Sequence, residues 1–237
     1  DDNNTHSMAN TYTDYSGNSG PEAQTANYEV DTREPTVSSV EITSAQGDQY
    51  NFVNATDNVS VTATFSETVN VNTDNGTPTL TLVVGSTDRT ATYASGDNST
   101  QLVFEYTIQS GDNDTNGISI GANAIALNSG TIKDVAGNDG TLSHGAVDNN
   151  SSYKVDTTAP SVDNFTMNDT ELKIGDNATV TLVFSEAVCV VSSDCGGIVF
   201  SSADITAPRG SLNNTMSSSQ ANDNKTIWAG TFTPDND

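Results

Sequence analysis

The sequence predicts an all-β fold of tandem sandwiches, one complete and two partial. Three observations predict it: period-2 alternation of apolar and polar residues, a shortage of helix formers, and a set of motifs that recurs at one spacing. Thr, Val, Ser, Asn, Asp and Gly dominate, while Leu, Lys, Arg and Gln are scarce. No stretch sustains an apolar period of 3.6 residues. Apolar residues make up only 33% of the 237, so disorder is the competing reading. The alternation argues against it.

In Val59-Ser60-Val61-Thr62-Ala63-Thr64-Phe65 every odd position is apolar and every even one carries a hydroxyl. Leu102, Phe104, Tyr106 and Ile108 alternate with Val103, Glu105 and Thr107. Ala178, Val180, Leu182 and Phe184 alternate with Thr179, Thr181 and Val183. Such segments read as half-buried antiparallel strands, one face on a core and one face wet. Further strands are expected at 26–30 and at Trp228 to Phe232. Clusters of Gly, Asn, Asp and Ser separate the strands at short spacing, as in a sandwich.

Val30-Asp31-Thr32-Arg33-Glu34-Pro35-Thr36-Val37 recurs as Val155-Asp156-Thr157-Thr158-Ala159-Pro160-Ser161-Val162, 125 residues later. Phe65-Ser66-Glu67 recurs as Phe184-Ser185-Glu186, 119 later, and Asp14-Tyr15-Ser16-Gly17-Asn18 as Asp134-Val135-Ala136-Gly137-Asn138, 120 later. Three motifs in one order at one approximate period indicate tandem domains. Residues 33–155 then hold one complete domain. Residues 1–32 hold what ends a domain, and residues 156–237 what begins one. The two partial domains are complementary, and the expected partners are copies of this unit or adjacent repeats end to end, joined covalently or by strand donation.

Asp and Glu number 31 against 7 Lys and Arg, a formal net charge of −24. Binding to nucleic acid needs the opposite sign and is excluded, and adsorption on an anionic membrane is disfavoured for the same reason. No run of 18 apolar residues offers a membrane span, and residue 1 opens no basic and apolar leader. A charge this large on loops calls for a hard divalent cation. The two cysteines, Cys189 and Cys195, flank the turn-like Ser192-Ser193-Asp194, a spacing that fits a cross-hairpin disulfide; two free thiols or a zinc half-site are the alternatives.

Val-Asp-Thr-Thr-Ala-Pro, the Phe-Ser-Glu-Ala-Val strand end, Thr79-Leu80-Thr81-Leu82 with Tyr93-Ala94-Ser95-Gly96, and Ile132-Lys133-Asp134-Val135-Ala136-Gly137-Asn138 together resemble the bacterial Ig-like tandem repeats of giant secreted adhesins of the RTX type. Trp228-Ala229-Gly230-Thr231-Phe232-Thr233-Pro234 resembles a second subtype of the same group. The resemblance implies immunoglobulin-like β-sandwiches in an extended, secreted or cell-surface protein whose linkers calcium stiffens. It names no ligand. Asp31-Thr32-Arg33-Glu34-Pro35 departs from the pattern at Arg33 and Glu34.

An Ig-like topology places Glu67 and the loop Asp134 to Asn138 at the pole where linker residue Asp31 enters. By the same logic Glu186 lies near Asp156, facing loops that contain Asp57, Asn58, Asp112 and Asp114. In the completed second domain Asp14 and Asn18 supply the third element. Calcium takes six to eight oxygens in a forgiving geometry, so Ca2+ is the expected ion. Asp112-Asn113-Asp114-Thr115-Asn116-Gly117 also matches the start of a calcium loop, but Asn123 stands where the twelfth-position Glu belongs. Asx turns explain each of these loops without a metal.

No chemistry can be assembled. His6 and His144 lie in polar surroundings without a Ser and Asp arrangement. No phosphate loop, dinucleotide fingerprint or Gly-x-Ser-x-Gly occurs. Trp228 in an alternating strand reads as core rather than as a sugar platform. The expected function is a structural repeat unit of an extracellular adhesin or surface fibre, a rod stiffened by calcium at domain junctions, and not an enzyme. The alternative is a module that binds a glycan or a host surface protein.

Overall fold

The computed structural model describes residues 4–44, 46–47, 51–188, 202–213 and 226–235. Among these residues, apart from a single turn of 3-10 helix at Ser202–Asp204, every regular element is a strand. Near the start β1 (Ser7–Met8) pairs antiparallel with β2 (Ala23–Gln24), all four residues exposed. The central part holds β3 (Val37–Ile42), β4 (Phe52–Val53), β5 (Asn58–Asn72), β6 (Thr79–Val84), β7 (Thr87–Ser95), β8 (Ser99–Thr107), β9 (Asn113–Asp114), β10 (Ile125–Ala126), β11 (Thr131–Asp134) and β12 (Lys154–Asp156). The last part holds β13 (Val162–Met167), β14 (Ala178–Phe184), β15 (Gly210–Leu212) and β16 (Ile227–Pro234).

A seven-stranded sheet runs β10-β6-β7-β8-β5-β11, with β3 also on β5. A three-stranded sheet runs β4-β12-β9, and a four-stranded sheet runs β13-β14-β16-β15. The period-2 pattern explains the packing. Val59, Val61, Ala63 and Phe65 of β5, Leu80, Leu82 and Val84 of β6, and Leu102, Phe104 and Tyr106 of β8 are all buried. They join one core with Ile118, Ile120, Ile125, Ile132, Tyr153 and Val155. Each such side chain contributes roughly 1.5–3 kcal/mol when fully buried. The result is the all-β, immunoglobulin-like sandwich architecture.

Two strands differ from the expectation. β5 does not end at Glu67: its register against β8 shifts between Thr64 and Val69, and the strand continues to Asn72, where it pairs with β11. The alternation breaks at this bulge, which turns Glu67 out of the ladder. Residues 26–30 form no strand. Their counterparts in β12 gain strand structure from two neighbours, β4 and β9, and among the described residues no strand pairs with residues 26–30.

The repeat holds at the level of single bonds. In β3 and β5, Val37, Val40 and Ile42 stand opposite Phe65, Ala63 and Val61. In β13 and β14, Val162, Phe165 and Met167 stand opposite Phe184, Leu182 and Val180, with the register shift at the same step. Thr36 N donates to Ser66 Oγ at 3.0 Å, and Ser161 N to Ser185 Oγ at 2.9 Å. The turn in which Asn54 N donates to Asp57 Oδ2 recurs as Lys173 N donating to Asp176 Oδ2.

Candidate cation site

Asp31 lies on the exposed segment entering β3, Glu67 on the bulge of β5, and Asp134 ends β11. One carboxylate oxygen from each lies within 4.8 Å of the other two. Asp31 is exposed, Glu67 half-buried and Asp134 buried at 4% exposure.

The loop after β11 builds the inner wall. Asp134 Oδ1 accepts from Gly137 N at 2.6 Å and Asn138 N at 2.8 Å. Asn138 Nδ2 donates to Asp134 Oδ2 at 2.7 Å. The same amide reaches the carbonyls of Asp31 and Arg33, each at 3.2 Å, and so ties the linker to the loop. Gly137 sits at φ +99, where a side chain is strained, so the turn needs a residue without Cβ. Burial raises the Asp134 carboxyl, but the bonds from Asn138, Gly137 and Ala136 outweigh it and hold it below the usual range. Asp134 therefore stays anionic at neutral pH. Asn138 acts as a clamp on this site through its donor atom.

Three carboxylates at this separation repel one another. The oxygen-only donor set, one buried and two more accessible, is the chemistry a hard divalent ion takes, and no sulfur or imidazole joins it among the described residues. The residues present fit calcium.

The second predicted set is partly gathered. Glu186 lies against Asp156: burial first, then the Asp156 charge and a hydrogen bond with it, raise the Glu186 carboxyl. Glu186 Oε1 is buried without a hydrogen-bond partner. Asp156 Oδ1 accepts from Thr158 N at 2.9 Å, as Asp31 Oδ1 accepts from Arg33 N at 3.0 Å. The third element, the loop at Asp14, has the Asp134 geometry. Asp14 Oδ1 accepts from Asn18 N at 2.9 Å, Asn18 Nδ2 donates to Asp14 Oδ2 at 2.9 Å, and Gly17 sits at φ +89. Among the described residues Asp31, Glu67 and Asp134 are the one group of three, so Asp14 does not reach Asp156 and Glu186 within the chain.

The residues expected to face Glu186 have partners of their own, and Asn113 of their loop pairs with Asp156. Asp57 closes its own turn through Asn54 N at 2.8 Å, and Asn58 Oδ1 accepts from Thr107 Oγ1 at 2.6 Å. The loop Asp112 to Gly117 is not open to an ion. Asp112 is buried and holds Arg89, Tyr106 and the Gln109 amide. Asp114 is buried too, with Oδ2 on Gly85 N at 2.7 Å and Oδ1 on Gly117 N at 2.8 Å. Asn116 is exposed, and its amide N–H donates to Asp114 Oδ1 at 3.2 Å. With both oxygens pointing at N–H groups, Asp112 and Asp114 fasten the loop to the sandwich. Cys189 and Cys195, with their expected disulfide, lie outside the described residues.

His144 is less idle than expected: its Nε2 accepts from Ala124 N at 2.8 Å. Trp228 is buried, as core reading requires. Sequence reasoning missed the Arg89–Asp112–Tyr106 cluster. The available signal was Arg89, one of only 7 basic residues, on a strand opposite an acidic loop.

Fold and site together define an all-β, immunoglobulin-like sandwich with an acidic junction at its entry. Residues 156–237 match the model of the family described as bacterial Ig-like domain. Within the chain, β3–β5 of the central part shares its register with β13–β14 of the matched part. No curated protein and no solved structure matches. Among the described residues no helix is long and apolar enough to cross a membrane.

Proposed function

We propose that this chain is a structural repeat of an extracellular adhesin or surface fibre, and that calcium stiffens its junctions at Asp31, Glu67 and Asp134. The observation that carries the reading is the meeting of those three carboxylates from a linker, a strand bulge and a loop. An ion bound there joins the linker to the sandwich it enters. Binding only the aligned arrangement, it stabilises that arrangement by mass action and removes bending at the joint. The bacterial Ig-like match over residues 156–237 supports repeated sandwich modules. The net charge of −24 supports a soluble, self-repelling rod rather than a binder of polyanions.

The test is thermal melting of the full chain in EDTA and in millimolar calcium, with small-angle scattering of both samples. Calcium is expected to raise the melting temperature and lengthen the particle. Identical melting and identical dimensions in the two buffers reject the reading.

A further inference from the structure

The first and last segments of the central sandwich lie side by side and run the same way. Thr36 bridges Thr141 in parallel: Thr141 N donates to the Pro35 carbonyl at 2.8 Å, and Val37 N to the Thr141 carbonyl at 3.3 Å. Further along, β12 pairs in parallel with β4, Lys154 opposite Phe52 and Val155 opposite Val53. Lys154 N donates to the Asn51 carbonyl at 3.0 Å. A side chain adds a third tie, since the hydroxyl of buried Tyr153 donates to the Ser44 carbonyl.

The two segments leave the sandwich at opposite poles. β3 begins at Val37, opposite Phe65, and Asn138 holds Asp31 and Arg33 at that pole. β4 leads through the turn of Asn54 and Asp57 into Asn58, at the other end of β5. β4 and the parallel β12 therefore both run toward that end. There Thr157 Oγ1 accepts from Gly111 N and donates to the Asp112 carbonyl, each at 2.9 Å. From Asn58 to Phe65 the strand spans roughly 23 Å.

A pull between Asp31 and Thr157 drags the first segment back along its own axis and the last segment forward along its own. The bonds between them lie across that direction, so they are loaded together and must break together. A pull across the strands opens the same bonds one at a time. β3 against β5 and β12 against β9 are loaded lengthwise as well.

We propose that the central sandwich is a tension-bearing module, in which residues 35–53 and 141–155 form a clamp that tension between the two linkers loads in shear. The inference goes beyond the calcium reading. It takes only the source of the tension from the fibre reading and needs no ion, because every tie in the clamp is a hydrogen bond within the chain.

The experiment is single-molecule stretching of the full chain in EDTA. Handles at its two ends pull through both linkers, and a length gain of roughly 400 Å marks rupture of residues 35–156. A second sample carries its handles at Asn54 and Thr158, exposed positions at one pole, and is pulled across β12. At equal force the second sample is expected to rupture at least about fivefold faster, because its bonds break singly. Two variants separate the clamp from stability in general. Tyr153 and Tyr106 are both buried, and their hydroxyls donate to Ser44 and to Asp112. Tyr153→Phe and Tyr106→Phe are both expected to weaken the chain in urea. Only Tyr153→Phe is expected to speed rupture under end-to-end force, by about fivefold, because forced unfolding follows the unfolding rate and not the equilibrium. Equal lifetimes in the two pulling directions overturn the proposal, as does a Tyr106→Phe chain that ruptures as fast as Tyr153→Phe. A directional clamp in EDTA together with no calcium response upholds the proposal and rejects calcium stiffening, so the two readings fail separately.

Discussion

The Tyr106 hydroxyl donates to Asp112 Oδ2 at 2.6 Å inside the central sandwich. The same oxygen accepts from Gln109 N at 2.9 Å, while Oδ1 accepts from Arg89 Nε at 2.7 Å. One buried carboxylate therefore fastens a strand, a loop and a hairpin. Asp112→Ala leaves the buried tyrosine hydroxyl and a part-buried backbone amide without their acceptor. The expected loss is about 2–4 kcal/mol, read from chemical unfolding of the full chain. A loss below about 0.5 kcal/mol would show that the cluster is ornamental.

The same pair contributes to stability at alkaline pH. Burial first, then the bond to Asp112 and its charge, push Tyr106 up to about 12. An unfolded tyrosine ionises near pH 10. The folded state keeps a proton that the unfolded state loses, so this contribution is complete below about pH 10 and disappears as the pH rises through 12. The Asp112 carboxyl has the opposite sign. Burial raises it, but the bonds from Tyr106, Gln109 and Arg89 outweigh burial and lower it. Its contribution is present at neutral pH and is lost as the pH falls below about 4. Tyr106→Phe is expected to flatten stability between pH 10 and 12, measured by melting at each pH.

The sandwich was legible because its signal is periodic: β5, β8 and β14 each bury the apolar residues of an alternating run. The group Asp31, Glu67 and Asp134 was legible because a repeat marks positions that share one pole. The bulge that carries β5 past Glu67 was not, since a register shift depends on the neighbouring strand and leaves no local mark. The Asp112 loop misled for a physical reason. Alternating Asp and Asn before Gly suits both an ion and backbone amides, and only the fold says which donors are near. Residues 26–30 have strand-like sequence, yet a strand is a property of a pair, and among the described residues no second member pairs with them.

Gly117 and Gly137 separate two costs of a positive φ. They sit at +102 and +99, so alanine strains the backbone similarly at both, by roughly 1–2 kcal/mol. At Gly137 a Cβ would meet nothing within 4 Å, whereas at Gly117 it would overlap the Asn150 carbonyl oxygen. Gly137→Ala is expected to cost only the conformational part. Gly117→Ala adds a backbone displacement and is expected to reach about 3 kcal/mol or more. Equal costs in urea unfolding would mean that the loop at Asn150 yields freely.

Glu67 and Glu186 occupy one repeat position in different company, and neutralising them separates their roles. Glu67 faces Asp31 and Asp134, a complete group of three. Glu67→Gln removes one charged ligand, and the calcium-dependent rise in melting temperature is expected to shrink or vanish. Glu186 lies against Asp156, with no third acidic group beside them among the described residues, and its carboxyl is raised by burial and by that charge. A raised carboxyl favours the protonated form in the folded state. Its contribution is present below the unfolded value near 4.3 and is lost as the pH rises through the higher folded value. At pH 7 in EDTA the ionised Glu186 therefore works against the C-terminal sheet. Glu186→Gln is expected to raise the melting temperature of that sheet at pH 7 and to leave it nearly unchanged at pH 4. A drop at pH 7 would mean that Glu186 already holds a cation or a donor that stabilises its charge.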